Sequence, residues 1–265
     1  MKIILWTALM MFIFSASFAQ DLNSLLGKAK QGDANAQFEL GIKYANGNGV
    51  YKDFTQAYHW IEKSALQGKR EAQCTLGNMY YNGDGIIKSY KKAFYWFQKS
   101  AEQGDAMAQY NLGLLYIKGQ GISKSDEKAA YWYELSAEQG DAMAQYYLGI
   151  MYSEGQGKPI DFKKAAYWYK RSAEQGNADG QYSIGVMCYN GYGVLRDLKK
   201  AAYWYGKSAE QGNAKAQYNL GVMYLYGQGI LKDLKRAAEL MEKAYEGGVE
   251  LAKTQWDENE LWRYK

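Results

Sequence analysis

Apolar residues recur along this chain at a helical spacing. In the segment 141–152, Ala144, Leu148 and Tyr152 fall at i, i+4 and i+8, so they lie on one face of a predicted helix. A Gly-x-Gly turn at Gly155 and Gly157 ends this first helix. Capping residues begin most copies of the pattern, at Asp33, Asp105, Asp141, Asn177 and Asn213. In the second copy Lys69 stands at this position, so that helix is expected to lack a side-chain cap.

A second helix follows each turn. Its apolar face includes Ala165, Trp168, Tyr169 and Ser172, and it closes at the glycine of a Glu-Gln-Gly turn. The position before it holds a good N-cap in every copy, namely Asp53, Ser89, Ser125, Asp161, Asp197 and Asp233.

The two-helix pattern repeats every 36 residues. Residues Ser100–Tyr110 recur letter for letter at Ser136–Tyr146, and the tryptophans Trp60, Trp96, Trp132, Trp168 and Trp204 keep the same step. Leu240 replaces the sixth tryptophan. Six units are therefore predicted without insertion or deletion, at 33–68, 69–104, 105–140, 141–176, 177–212 and 213–248.

Each first helix contains a glycine in its middle, for example Gly149. A mid-helix glycine costs about 0.5–1 kcal/mol relative to alanine, so a compensating contact is expected. We predict that the missing Cβ lets the neighbouring helix and its tryptophan ring approach the backbone.

A single helix pair cannot bury its apolar face alone, so the repeats are expected to stack. The predicted fold is all-α, a right-handed α/α superhelical solenoid of six helix-turn-helix repeats. Residues 20–32 are predicted to form an N-terminal cap and residues 249–265 a C-terminal capping helix.

The unit resembles the Sel1-like repeat family, which is related to tetratricopeptide repeats. The resemblance rests on Ala-x-Ala-Gln-x-x-Leu-Gly-x-x-Tyr, Gly-x-Gly, Lys-Ala-x-x-Trp-Tyr and Ala-Glu-Gln-Gly, and it covers nearly all of the chain after residue 19. It implies an interaction scaffold, and bacterial members of the family are often exported adaptors.

The N-terminus has the pattern of a secretory signal peptide over residues 1–19. Lys2 precedes an apolar run from Ile3 to Phe14, and Ser17–Ala19 forms a small-x-small cleavage site. A membrane anchor is the alternative, but the run is shorter than the roughly 20 residues a spanning helix needs. We therefore expect export without membrane insertion after cleavage, to the periplasm first and the extracellular medium second.

Charge and residue types argue against several functions. A formal net charge of +4 over 265 residues is too small and dispersed to indicate nucleic-acid binding. The chain has one histidine, His59, and two cysteines, Cys74 and Cys188, so neither a zinc site nor another cofactor is expected. The cysteines lie about three repeats apart, and we expect two buried thiols without a disulfide between them.

Ser89-x-x-Lys92 and Ser125-x-x-Lys128 match the Ser-x-x-Lys of penicillin-interacting serine enzymes. Some exported proteins of the resembled family have been labelled as β-lactam-binding or hydrolysing, and they resemble a design with one disulfide per repeat. The two serines occupy the N-cap position that is aspartate elsewhere, and no Ser-Asp-Asn or Lys-Thr-Gly companion is present. We expect no enzyme and keep a β-lactam- or peptidoglycan-fragment-interacting protein as the alternative.

A variable stripe on the first helices is the predicted binding surface. By analogy with tetratricopeptide solenoids it would line a concave groove and hold a protein or peptide. The candidate residues are Met107, Asn111, Leu114, Lys118, Met143, Tyr147, Ile150, Glu154, Asn219 and Tyr226. The same positions elsewhere hold Asp179, Ser183, Val186, Asn190, Lys215 and Val222. The alternative is that the apolar row (Leu114, Ile150, Val186, Val222) is core against the next repeat.

The sequence therefore predicts an exported, non-enzymatic scaffold that binds a protein or peptide. The third and fourth repeats, the most apolar along the stripe, are the expected centre of contact. A secreted factor directed at host proteins is a further alternative.

Overall fold

A computed structural model describes residues 21–265, and this part of the chain is helical with no strand. The predicted signal peptide, residues 1–19, lies outside the described residues. The chain divides between Ser125 and Asp126 into two compact units. No helix among the described residues is both long and apolar enough to cross a bilayer.

Helix α1 covers residues 21–30 of the described chain, and its apolar residues pack against Leu40 and Trp60. The first helices of the repeats are α2 (Ala34–Asn46), α4 (Arg70–Asn82), α6 (Ala106–Lys118), α8 (Ala142–Glu154), α10 (Ala178–Asn190) and α12 (Ala214–Tyr226). The second helices are α3 (Phe54–Leu66), α5 (Tyr90–Glu102), α7 (Asp126–Glu138), α9 (Phe162–Glu174), α11 (Leu198–Glu210) and α13 (Leu234–Glu246).

Within each unit, consecutive helices pack on one another. Unit 1 contains α1 to α6, and unit 2 contains α7 to α13 followed by α14 (Glu250–Glu258) and a 3₁₀ helix (Leu261–Tyr264). In unit 2 the last two elements place Ala252 and Leu261 in one buried cluster with Met241. The prediction of an all-α fold of helix-turn-helix repeats is confirmed.

The ends of the helices follow the sequence signals. The Asp141 carboxylate accepts a hydrogen bond from the Ala144 amide at 2.7 Å, and Gly155 ends α8 in the left-handed region with φ 74°. Lys69 makes no side-chain cap on α4, as expected. Two residues after Gly155, a Cβ on Gly157 would lie 2.2 Å from the Asp126 carbonyl oxygen, so only glycine fits the turn there.

A buried glutamine joins each of α2, α4, α8 and α10 to the helix before it and to the residue just after the helix that follows it. The Gln145 side chain is fully buried and donates from Nε2 to the Ala137 carbonyl at the end of α7, 3.0 Å away. Its Oε1 accepts from Gln175 Nε2, just past α9, at 2.8 Å. The same pair of bonds recurs at Gln37, Gln73 and Gln181. We call this arrangement the glutamine relay.

The mid-helix glycines do allow close approach, but the tryptophan ring is not the group that approaches. A Cβ on Gly149 would lie 2.6 Å from Cδ1 of Tyr169, the residue after Trp168. Equivalent contacts pair Gly41 with Ile61, Gly77 with Phe97, Gly185 with Tyr205 and Gly221 with Met241. The expectation about the tryptophan was wrong because the helix turns the next residue, not the tryptophan, toward the glycine.

Gly149→Ala should destabilise the protein because the added methyl overlaps the Tyr169 ring in a closely packed core. The expected cost is about 1–3 kcal/mol, a fall of roughly 2–10 °C in melting temperature. Gly206, in the middle of α11, is the control, because a Cβ there meets open space. Gly206→Ala should raise the stability by about 0.5–1 kcal/mol. Equal effects of the two changes in thermal denaturation would contradict the close-approach explanation.

Gln145→Met keeps the side-chain volume but removes both hydrogen bonds of the relay. We expect a loss of about 1–3 kcal/mol, because the buried Ala137 carbonyl loses its side-chain donor. Gln175→Ala should cost less than Gln145→Met, since Gln175 is exposed and its truncation opens Gln145 Oε1 to water while the bond to Ala137 stays. Denaturant unfolding of both variants measures this difference, and a Gln145→Met protein as stable as its parent would refute the role of the relay.

Candidate functional site

The predicted partner-binding positions form one row on each first helix, which we call the first-helix stripe. On α6, α8, α10 and α12 the two outer positions are exposed and the two middle positions are half-buried. Met107 and Tyr226, at outer positions, are 57% and 54% exposed. The stripe therefore combines accessible ends with a centre that takes part in packing.

In unit 1 the stripe of α6 contacts the preceding first helix. Asn111 Nδ2 donates to Asn78 Oδ1 at 3.2 Å, and Lys118 Nζ donates to the Tyr81 hydroxyl at 3.4 Å. Leu114 lies half-buried between them, so the middle of this stripe lies in the contact between repeats.

In unit 2 the Tyr147 ring stacks on the buried ring of Tyr133 at a centroid distance of 5.3 Å and an interplanar angle of 10°. Met143 accepts a hydrogen bond from Asn177 through its sulfur at 3.1 Å. Ile150 is half-buried, and Glu154 is exposed and bonded to Gln156 at 2.7 Å. Tyr147 therefore supports the core as well as the surface, so truncating it would affect stability.

A cavity of about 300 Å³ lies on the stripe between α10 and α12, and we call it the tyrosine cavity. Its lining consists of four tyrosines, two asparagines and two valines: Tyr182, Tyr189, Tyr205, Tyr218, Asn190, Asn219, Val186 and Val222. The Asn219 side chain lies beside the hydroxyls of Tyr182 and Tyr205. The Tyr189 hydroxyl donates to Gln228 Oε1 at 2.8 Å.

The tyrosine cavity is neutral and rich in hydrogen-bonding groups. Burial raises the pKa of Tyr182 and of Tyr205, so both hydroxyls stay protonated well above neutral pH. Asparagine amides both donate and accept, which matches the donors and acceptors of a peptide backbone. The valine and tyrosine faces supply apolar contact area beside these groups.

Some residues that line this cavity were predicted from the sequence, and others were not. Asn219 was a named candidate, and Val186, Asn190 and Val222 lie on the predicted stripe. The four tyrosines were not identified, because Tyr182 and Tyr218 occupy a position that is aromatic in every repeat except the second, where Cys74 stands, and so does not vary as a binding stripe does. Tyr189 offered a signal, since its position is variable and holds Ser153 in the preceding repeat. The cavity also lies in the fifth and sixth repeats, not in the third and fourth.

The serine, histidine and cysteine residues considered for catalysis or metal binding make the contacts described below. The Ser89 hydroxyl accepts a hydrogen bond from the Lys92 amide at 3.4 Å, as an N-cap of α5. His59 is exposed beside Trp60, with a ring-centroid distance of 5.1 Å. Cys74 and Cys188 are free and buried, and burial raises the pKa of both thiols. Among the described residues, no group of three or more His, Cys, Asp or Glu side chains is arranged to hold a metal ion.

Alkaline pH should destabilise unit 2 through its buried tyrosines. Burial raises the pKa of Tyr146 and Tyr169 to about 12, whereas tyrosine in an unfolded chain titrates near about 10. The raised pKa means that this contribution to stability is complete below pH of about 10 and is lost as the pH rises toward about 12.

Ultraviolet absorbance of tyrosinate and circular dichroism should therefore show late tyrosine ionisation accompanied by unfolding. Tyr169→Phe is the control, because it removes one such group and should move the alkaline unfolding midpoint to higher pH. Ionisation of every tyrosine near pH 10 with the helices intact would contradict the burial argument.

Known proteins resemble this chain throughout its repeats. Residues 34–69, 70–105, 106–141, 142–177, 178–213 and 214–249 each match the Sel1 repeat family. A protective antigen of uropathogenic Escherichia coli with an SLR fold is 38% identical with a TM-score of 0.83, over 87% of this chain and 50% of the antigen. A Sel1 repeat protein from Oxalobacter formigenes is 33% identical with a TM-score of 0.76, over 88% of this chain and 94% of that protein.

Among curated proteins, the secretory immunoglobulin A-binding protein EsiB of Escherichia coli O6:H1 is 46% identical over 44 residues, which are 17% of this chain and 9% of EsiB. The chain thus spans about half of the solved antigen and a small part of EsiB. The Sel1 matches run from residue 34 to residue 249 without a gap, and the protein belongs to the Sel1 repeat family.

Proposed function

We propose that this protein is an exported, non-enzymatic scaffold that binds an extended segment of a partner protein on the first-helix stripe of unit 2. Sel1 repeat proteins are generally scaffolds for protein interaction, which supports the class of function. The chemistry of the stripe supports the kind of partner.

The tyrosine cavity is the observation that carries this proposal. A peptide segment in extended conformation exposes its backbone N–H and C=O groups, and Asn190 and Asn219 offer matching acceptors and donors. Tyrosine is enriched among the residues that contribute most to binding energy, because a rigid ring buries a large area and its hydroxyl still bonds. The cavity holds four tyrosines beside two asparagines.

The exposed outer residues of the stripe extend the proposed contact beyond the cavity. In unit 2 these include Met143, Glu154 and Tyr226, a mixture of apolar and charged groups that suits a polar rim around an apolar centre. In unit 1, Met107 and Lys118 are exposed on α6 in the same way. We propose them as a second, weaker contact region.

Export to the periplasm is the proposed location, on the signal-peptide pattern of residues 1–19. Secretion toward a host protein is the second candidate. It is favoured by the local 46% identity to EsiB, whose name describes binding of secretory immunoglobulin A. The shared segment covers 17% of this chain, so the immunoglobulin is one partner to test and not the leading one.

Crosslinking and mass spectrometry of the tagged protein in its native cell envelope test the scaffold function. The stripe variant combines Asn190→Ala and Tyr226→Ala, two exposed positions beside or near the tyrosine cavity. The control combines Tyr167→Ala and Lys170→Ala on α9, where Tyr167 is 52% exposed, close to the 54% of Tyr226. All three proteins are compared at matched expression and melting temperature.

We expect a protein crosslinked to the parent and to the control but reduced at least about tenfold in the stripe variant. A partner retained by the stripe variant would refute the proposed surface. Crosslinks found in culture medium containing secretory immunoglobulin A, and absent from the envelope, would replace the periplasmic scaffold with the host-directed candidate.

A further inference from the structure

A larger cavity, of about 610 Å³, opens in unit 2 away from the first-helix stripe. It lies between α11, α12 and α13, and none of the stripe residues lines it. We call it the Leu240 cavity, after the residue at its α13 wall. Its volume falls within the range of about 300–1,000 Å³ that is typical of small-molecule sites.

The first cause of this cavity is the loss of a tryptophan. Leu240 occupies the position that holds tryptophan in the other five repeats. In the first repeat Trp60 is buried in one cluster with Ala29 and Leu40. The residues at the matching positions, Ala209 and Leu220, line the Leu240 cavity. The space that an indole ring fills in the first repeat is therefore open in the sixth.

The second cause is the loss of a side chain on the facing helix. Gly206 on α11 lies against the sixth repeat. The residue at the same repeat position on α7 is Glu134, which lies against the fourth repeat. Its carboxylate contacts Lys158 Nζ at 2.6 Å and the Tyr152 hydroxyl at 3.4 Å. The residues equivalent to these two partners, Ile230 and Tyr224, line the cavity and receive no such side chain. A Cβ on Gly206 would meet nothing within 4 Å. Two departures from the repeat thus converge on one space.

The rim of the Leu240 cavity is positively charged. Lys199, Lys207 and Lys243 line it, against the single acidic residue Glu210. In the described part of the chain none of these three lysines forms a salt bridge. Three lysines around an aromatic-lined space attract an anion and lie within reach of cation–π contact with a bound ring.

We propose that the Leu240 cavity binds a planar aromatic ring that carries a carboxylate. The ring takes the place of the missing indole, against Leu220, Leu240 and the rings of Tyr203 and Tyr224, and the carboxylate meets the lysines at the rim. The ligand is either a free aromatic acid or an aromatic side chain next to an acidic residue in a peptide. This inference stands apart from the proposed function, because it uses other residues.

Isothermal titration calorimetry of the full chain with indole-3-propionate, its neutral amide and the acetylated, amidated dipeptide Trp-Glu tests the site. We expect the parent to bind the carboxylate and to bind the neutral amide at least about threefold more weakly. Tighter binding of the dipeptide than of indole-3-propionate would identify a peptide ligand, and the reverse would identify a free aromatic acid.

The variant Leu240→Trp restores the residue of the other repeats. It should fill the cavity, raise the melting temperature and weaken binding of indole-3-propionate at least about tenfold. Leu195→Trp is the control, because Leu195 is a 92% exposed leucine in the turn between α10 and α11, and it should leave binding unchanged. Lys207→Gln combined with Lys243→Gln should reduce the preference for the carboxylate over the amide.

Three results would overturn the inference. These are no heat of binding with any of the three probes, undiminished binding in Leu240→Trp, and equal affinity of the parent for the carboxylate and the amide.

Discussion

The glutamine relay is the constraint on which the repeat depends. Gln145 is fully buried, and its amide must find partners because an unsatisfied buried polar group costs about 1–3 kcal/mol. It finds one on the helix before it, at Ala137, and one just after the helix that follows, at Gln175. A directional bond at each end leaves little freedom in how the three helices meet. The relay recurs in both units at the same 36-residue step.

Close approach of helices adds a second requirement. Gly149 lies against the Tyr169 ring, so a costly residue for a helix becomes the one residue that fits. The relay and the glycine contacts together fix the positions that every repeat shares. The positions they leave free carry the differences between repeats, and both candidate sites arise there. The tyrosine cavity depends on Tyr189, at a position that varies between repeats and holds Ser153 in the fourth and Leu225 in the sixth. The Leu240 cavity depends on two side chains that the repeat has lost.

The two sites differ in chemistry in a way that suggests separate roles. The tyrosine cavity is neutral, with asparagine amides that match a peptide backbone, and its buried tyrosines keep their protons because burial raises their pKa. The Leu240 cavity has a cationic rim and the outline of an aromatic ring. A scaffold with both would hold an extended segment on its first helices and an aromatic acid between its later helices.

The sequence by itself determined the helices, their caps, the repeat and the family, because helix signals and a 36-residue period are local and recur six times. It also predicted half of the residues that line the tyrosine cavity, through the variable stripe. Only the tertiary structure decided that Tyr169 and not Trp168 meets Gly149, that Tyr147 leans on Tyr133, and that Tyr182 and Tyr205 converge on Asn219. Likewise, Gly206 and Leu240 read as separate exceptions along the chain. They face one space because helix packing brings together residues 34 positions apart, and no local pattern encodes that distance.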